Sequence, residues 1–322
     1  MSLLADALQP HISPGLFSVR GKVDATLDDL IGRKGGFYSS YDGATSIWTF
    51  NFVASDPVAS FFANECSRFA SASFQTFSSV PHDLQSPEKL PWALVQAYYA
   101  AFYAGHSILR ILGSSCTYVD GTRLSLLKRV LALQQTTPAF PGGHYETTID
   151  GNGSEVSFKL LGTNLGGTHE QFWHVFNKQI SQLEQKILGG TTLPPIDAQQ
   201  AWACLGQFRS VITKSTASAS WLSNVRNTVQ YRHSHGVWFP GKLVRRDRLI
   251  LSRIANRWLS DPLSIPLAAN GCGELGPFIA SCTFLVSFCR SLITRLAERG
   301  KRGHAESFVH YGPQRYLNMI SA

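Results

Sequence analysis

The segment WLSNVRNTVQYRHSHGVWFP, residues 221–240, places Arg226, Asn227, His233 and His235 within ten residues of one another among apolar neighbours. If residues 220–232 form a helix, Leu222, Arg226, Val229 and His233 fall at steps of four, three and four. That spacing sets Arg226 and His233 two turns apart on one face and turns His235 elsewhere. An arginine and a histidine on an apolar stripe are costly to bury unless they are paired, hydrogen-bonded or facing a solvent-filled site. Metal-free RNA cleavage needs such a pair. A histidine with a pKa near ~6.5 moves protons between the ribose 2′-hydroxyl, solvent and the leaving 5′-oxygen. The fixed fork of an arginine holds the phosphate while negative charge builds on it. Arg226 and His233 fit these two roles. The structural alternative is a helix end, with Arg232 and His233 on the last carbonyls and Arg226 paired with a carboxylate.

Other constellations carry less. RGKRGH at 299–304 also places a histidine five residues after an arginine, but its glycines oppose a helix, and the match reads as chance. His233 and His235 chelate a metal only if both rings face one way, which a helix opposes, so no metal and no cofactor is expected. The glycine-rich GTNLGGTHEQ at 162–171 lacks the G-K-[ST] ending of a P-loop and reads as a turn feeding a capped helix. GKLVRRDRLILSRIANRWL at 241–259 sets Lys242, Arg245, Arg246, Arg248, Arg253 and Arg257 against one acid, Asp247. As a helix it packs Leu243, Leu249, Ile250, Ile254 and Trp258 inward and presents a basic ridge. Arg232, Lys242, Arg245, Arg246 and Arg248 are therefore candidates for contacts to a phosphate backbone.

The elements that must position these groups are mostly helical. From Pro91, LPWALVQAYYAAFYAGHSILRILG spaces Trp92, Val95, Tyr99, Phe102, His106 and Leu109 three or four apart, with alanines and Gly105 between them. Small residues there let another helix approach closely. A helix follows over 122–135. Another starts at the Thr168/Gln171 capping pattern, carries Phe172, Phe176, Ile180, Leu183 and Ile187, and ends at the glycines 189–190. Asp197 opens a further helix with Trp202, Leu205, Phe208 and Ile212. LGPFIASCTFLVSFC at 275–289 reads as a buried helix too short to span a membrane. Upstream, SIWTFNFVAS alternates like a strand, and a helix is expected after Asp56 and Pro57. Three prolines in SSVPHDLQSPEKLP at 78–91 suggest a boundary, and the long loop at 137–168 is an insertion or a binding loop.

RNTVQYRH, with six residues between Arg226 and His233 and a polar residue after the arginine, resembles the R-x4–6-H motif of the HEPN superfamily. The tyrosine- and alanine-rich helix QAYYAAFYAGHSILRILG resembles the helix that lies upstream of the motif in that family. The resemblance covers about residues 88–240 and implies an antiparallel bundle of four or five helices, usually dimeric. It implies a composite, metal-independent ribonuclease site where two motif helices meet, often in toxins or antiviral effectors. The family arginine falls on Arg226, the polar residue on Asn227, which would orient the histidine or contact RNA, and the histidine on His233. The insertion at 137–168 departs from a minimal bundle.

The expected architecture is thus mainly α: a HEPN-like bundle at 86–260 with a long insertion, a mixed N-terminal segment at 1–85, and a C-terminal helix and basic tail at 261–322. Of 322 residues 44% are hydrophobic, enough for a real core. Residues 200–322 hold 16 Lys+Arg against 5 Asp+Glu, while residues 1–199 hold 13 against 16. The positive field belongs to the C-terminal part and favours polyanionic partners. Six scattered cysteines without a C-x-x-C pair, and a start without a basic, long apolar run, read as a reduced cytoplasmic protein. The functional expectation is an endoribonuclease acting on RNA as a homodimer, with a regulatory protein or antitoxin as a further partner and no membrane association. A catalytically silent HEPN-like module that binds nucleotide, nucleic acid or protein is the alternative.

Overall fold

The computed structural model describes residues 2–32, 36–135, 140–162, 166–190, 193–214, 219–269, 271–299 and 306–321. Short helices α1 (Leu3–Leu8) and α2 (Leu27–Gly32) precede strands β1 (Phe37–Asp42) and β2 (Ile47–Phe52). The long helix α3 (Asp56–Phe77) begins at the expected Asp-Pro pair, and one turn, α4 (Val80–Asp83), leads into α5 (Leu90–Ile111). After β3 (Ser114–Val119) come α6 (Gly121–Leu133), β4 (Gly143–Ile149) and β5 (Glu155–Leu160). The chain finishes with α7 (Thr168–Gly190), α8 (Pro195–Ile212), α9 (Trp221–Gln230), α10 (Arg245–Ala255), α11 (Leu275–Arg299) and α12 (Pro313–Ser321). The fold is mainly helical with one small antiparallel sheet.

Helix α5 is the axis of the core. Ala93, Ala97, Ala100, Ala101, Ala104 and Gly105 are buried, and these small residues let α3, α7, α9 and α11 approach it. Ser73 of α3 donates its hydroxyl to the Ala100 carbonyl at 2.8 Å. A Cβ on Gly105 would lie 2.7 Å from Cζ of Phe172, so glycine is what lets α7 close onto this face. The apolar segment 275–289 lies in α11, a helix of 25 residues that is long and apolar enough to cross a membrane but is largely buried inside the fold.

The five strands run in the order β1-β2-β5-β4-β3, all neighbours antiparallel. Alternation in β2 turns Trp48, Phe50 and Phe52 inward. Trp48 meets Phe140 at 5.0 Å and Phe50 meets Phe158 at 4.9 Å, giving the sheet its own aromatic core.

This sheet corrects the expected division of the chain. Residues 47–51 pair with residues 155–159 inside the 137–168 insertion, and α3 packs along α5. The segment 1–85 and the helical region therefore share one core, and the prolines at 78–91 mark a tight connection through α4 rather than a domain boundary. Of the insertion, 137–139 and 163–165 lie outside the described residues, as do 300–305, which hold most of the RGKRGH match.

Candidate active site around Arg226

Arg226 sits where its phase predicts. The ten-residue α9 buries Trp221, Leu222, Val225, Arg226 and Val229 on one face, and the Trp221 indole N–H donates to Glu274 Oε1 at 2.8 Å. Arg226 is 5% exposed. Its guanidinium carbon lies 5.0 Å from the ring centre of Tyr98, 5.6 Å from Tyr99 and 6.0 Å from Tyr231. Nη1 donates to Gln230 Oε1 at 3.3 Å, while Nε is buried without a partner. Among the described residues no carboxylate pairs with Arg226, so the helix-end alternative finds no counter-ion here. Arg110, the other arginine buried on this bundle, does pair, with Glu65 at 3.2 Å.

His233 is placed differently from its expected phase. Helix α9 ends at Gln230 instead of continuing to 232, and His233 adopts a left-handed backbone, φ 49° and ψ 34°. The cause lies downstream. The Trp238 indole N–H donates to the Val229 carbonyl at 2.7 Å, closing the helix end, and the Lys242 N–H donates to the Gly236 carbonyl at 2.7 Å. Gly236 itself has φ +61°, and a Cβ there would lie 2.8 Å from Cβ of Lys242. The returning chain leaves His233 exposed, its ring 5.0 Å from Trp238, which in turn meets Trp92 at 5.9 Å. Trp92 and Tyr99 are seven residues apart on α5, a rise of about 10 Å. Within one chain, Arg226 and His233 therefore address different stations along α5.

Asn227 is half-buried beside Arg226, and its carbonyl accepts from the Tyr231 N–H at 2.9 Å. His235 is turned back onto α9, its Nε2 3.0 Å from Thr228 Oγ1 and 3.7 Å from Glu274 Oε2. The rings of His233 and His235 thus have separate partners, and among the described residues no group of three or more His, Cys, Asp or Glu is arranged to hold a metal ion.

The residue that joins Arg226 was not singled out from sequence: His169, second in α7. Its Nδ1 lies 2.8 Å from Tyr98 Oη, and the Trp173 indole donates to the same oxygen at 3.2 Å. Burial first, and the positive charge of Arg226 second, push the His169 pKa down to about 4. Burial also raises the Tyr98 phenol above its ordinary value. Arg226, Tyr98 and His169 thus form one electrostatic cluster at the meeting of α5, α7 and α9. The sequence signal for it was the histidine in GGTHEQ, immediately after a flexible turn and at the start of a helix. In the structure the Gln171 amide donates to the Gly166 carbonyl at 3.0 Å, and Thr168 Oγ1 lies 3.3 Å from His144 Nε2.

The basic candidates divide. Arg232 is exposed beside Tyr231, and Lys242, Arg245, Arg246 and Arg253 are exposed around α10. Arg245, Arg246 and Arg253 border an open depression floored by Leu249 and Ile250. Arg248 is engaged: its Nε donates to the Gln85 carbonyl at 3.1 Å and Nη1 to the Leu243 carbonyl at 2.8 Å. Arg257 donates to the Ser264 carbonyl at 2.8 Å. An apolar side chain, Phe239, in the segment between Arg232 and Lys242, is 98% exposed. Comparison with protein-family profiles, with curated proteins and with solved structures yields no match.

Proposed function

We propose that the chain is a metal-independent endoribonuclease of the HEPN type, in which Arg226 holds the scissile phosphate and His233 moves the proton, with Asn227 in support. The observation that carries this reading is the buried Arg226 guanidinium, seated on tyrosine rings with no carboxylate partner among the described residues and one donor unmatched. A cation kept in that state favours an anionic ligand, and the exposed arginines around α10 supply a field that concentrates polyanions. His233 and Arg226 lie at different stations along α5, so in this reading the site is completed across a homodimer, His233 of one protomer serving the partner's phosphate. The setting in the cell is a cytoplasmic toxin or antiviral effector held in check by a protein partner.

The test is incubation of RNA with the purified protein in EDTA, comparing the native sequence with Arg226→Ala and His233→Ala. Cleavage lost in both variants supports the assignment. Equal cleavage by all three overturns it.

One observation favours a second reading, binding without cleavage. His233 leans on Trp238 in a surface that also carries Trp92, Tyr231, Phe239 and Arg232, a mixture of ring faces and cations suited to stacking single-stranded bases. Tight RNA binding with no cleavage in the same assay would select it.

A further inference from the structure

The hydrogen-bond inventory around Tyr98 fixes the state of His169. An indole N–H only donates, as does the Arg226 guanidinium that also bonds Tyr98, so Tyr98 Oη accepts from Trp173 Nε1 and from Arg226. The single phenolic hydrogen is then directed at His169 Nδ1, 2.8 Å away. An imidazole held neutral by burial and by Arg226 must carry its one proton on the other nitrogen. The half-buried ring therefore presents Nε2–H as a donor, and among the described residues nothing accepts it. Beside it stands the guanidinium of Arg226, 5% exposed, with Nε orphaned and no counter-anion. A donor on the half-buried His169 ring and a buried guanidinium whose Nε has no partner are together the groups that an oxyanion would engage.

We propose that His169 and Arg226 together bind one phosphoryl group, His169 donating from Nε2 to a non-bridging oxygen and Tyr98 acting as the positioning residue that fixes the tautomer. This rests on the reading of Arg226 as the phosphate-holding group and adds to it a residue from a different helix. The wall opposite Arg226 is then supplied by the same chain, and RNA phosphate is gripped before any partner subunit contributes a histidine.

The experiment is an NMR titration of the full chain, with histidine side chains isotopically labelled, by inorganic phosphate at constant ionic strength. A saturable shift of the His169 resonances is expected, with His82, exposed before α5, unmoved. Arg226→Gln and His169→Gln are expected to weaken phosphate binding roughly ten-fold or more, the cost of losing a charged or buried hydrogen-bond partner. Tyr98→Phe is expected to weaken it less and to release the His169 tautomer, read from its ring-nitrogen shifts. Thermal melts establish that each variant is folded, and Arg226→Lys, which keeps the charge but not the fork, replaces the glutamine variant if that fails to fold. Absence of a saturable His169 shift in the native chain overturns the proposal, as does unchanged affinity in the Arg226 and His169 variants. RNA cleavage in EDTA without phosphate binding at His169 would overturn this inference and leave the ribonuclease reading standing. Phosphate binding without cleavage would do the reverse.

Discussion

Arg226 is held by ring faces where Arg110 is held by a carboxylate, and the two arginines should respond differently to the same change. Breaking the Arg110–Glu65 pair leaves a partly buried carboxylate, so Arg110→Met should lower the unfolding free energy by about 2 kcal/mol. At Arg226 an unpaired buried charge is exchanged for an apolar chain of similar length, which offsets the lost cation–π contacts. Arg226→Met should keep the denaturation midpoint within about 1 kcal/mol of the parent, or raise it, while phosphate affinity is lost. Urea melts of both variants check this, and a large loss at Arg226 would mean that the arginine serves the fold. A pH prediction follows from His169, held down to about 4 from an ordinary 6.5, and from His106, lowered by burial and by Arg110. Both bind fewer protons folded than unfolded, so stability is complete above about 6.5 and falls as pH drops toward 4. Tyr98, Tyr99 and Phe102 of α5 face His169, and the titratable or charged groups acting on it include His106 of α5 and Arg226 of α9, of which only the arginine is charged in this range. Phosphate on Arg226 should therefore raise the His169 pKa and shift the acid limb of the melting curve lower. The place of Arg226 was legible because α9 carries a regular apolar stripe. That of His169 was not, because its partner Tyr98 lies 71 residues away in sequence.

At the scale of elements, the helices were readable wherever a stripe and a stop signal coincided, as in α5 and α7, whereas α11 runs ten residues past the expected end at 289. The end of α9 was not, because the residue that closes it, Trp238, acts from nine positions downstream. Extending the helical phase through 231–233 put His233 on the wrong face. Trp238→Ala removes that closure and the support under His233. It should cost about 2 kcal/mol in a urea melt, a reduced cavity cost for a half-buried indole. Of the sheet, β2 was legible from its alternation but its pairing was not, since the register of β2 on β5 joins residues more than a hundred apart and depends on turns that local pattern does not specify. Gly105 shows what the small residues of α5 contribute. Gly105→Val places a branched side chain against the Phe172 ring and should lower stability by about 1–3 kcal/mol. An unchanged melt would show that α7 yields at this contact, and with it that His169 is not rigidly held.

For the molecule as a whole, the charge excess after residue 200 lies around α10 and the 231–246 surface, with Arg248 and Arg257 partly withdrawn into backbone contacts. RNA affinity should fall steeply with salt, and Arg245→Ala with Arg246→Ala should flatten that slope by about two phosphate contacts. An unchanged slope in a filter-binding series would place the nucleic acid elsewhere. In the proposed reaction Arg226 holds a phosphate while the adjacent ribose 2′-hydroxyl attacks it. The most direct measurement is analysis of the RNA ends made in EDTA by the native chain and by Arg226→Lys. Ends bearing a 2′,3′-cyclic phosphate from the native chain, and none from the lysine variant, are the predicted result. Cleavage leaving 3′-hydroxyl ends, or equal cleavage by Arg226→Lys, would contradict it.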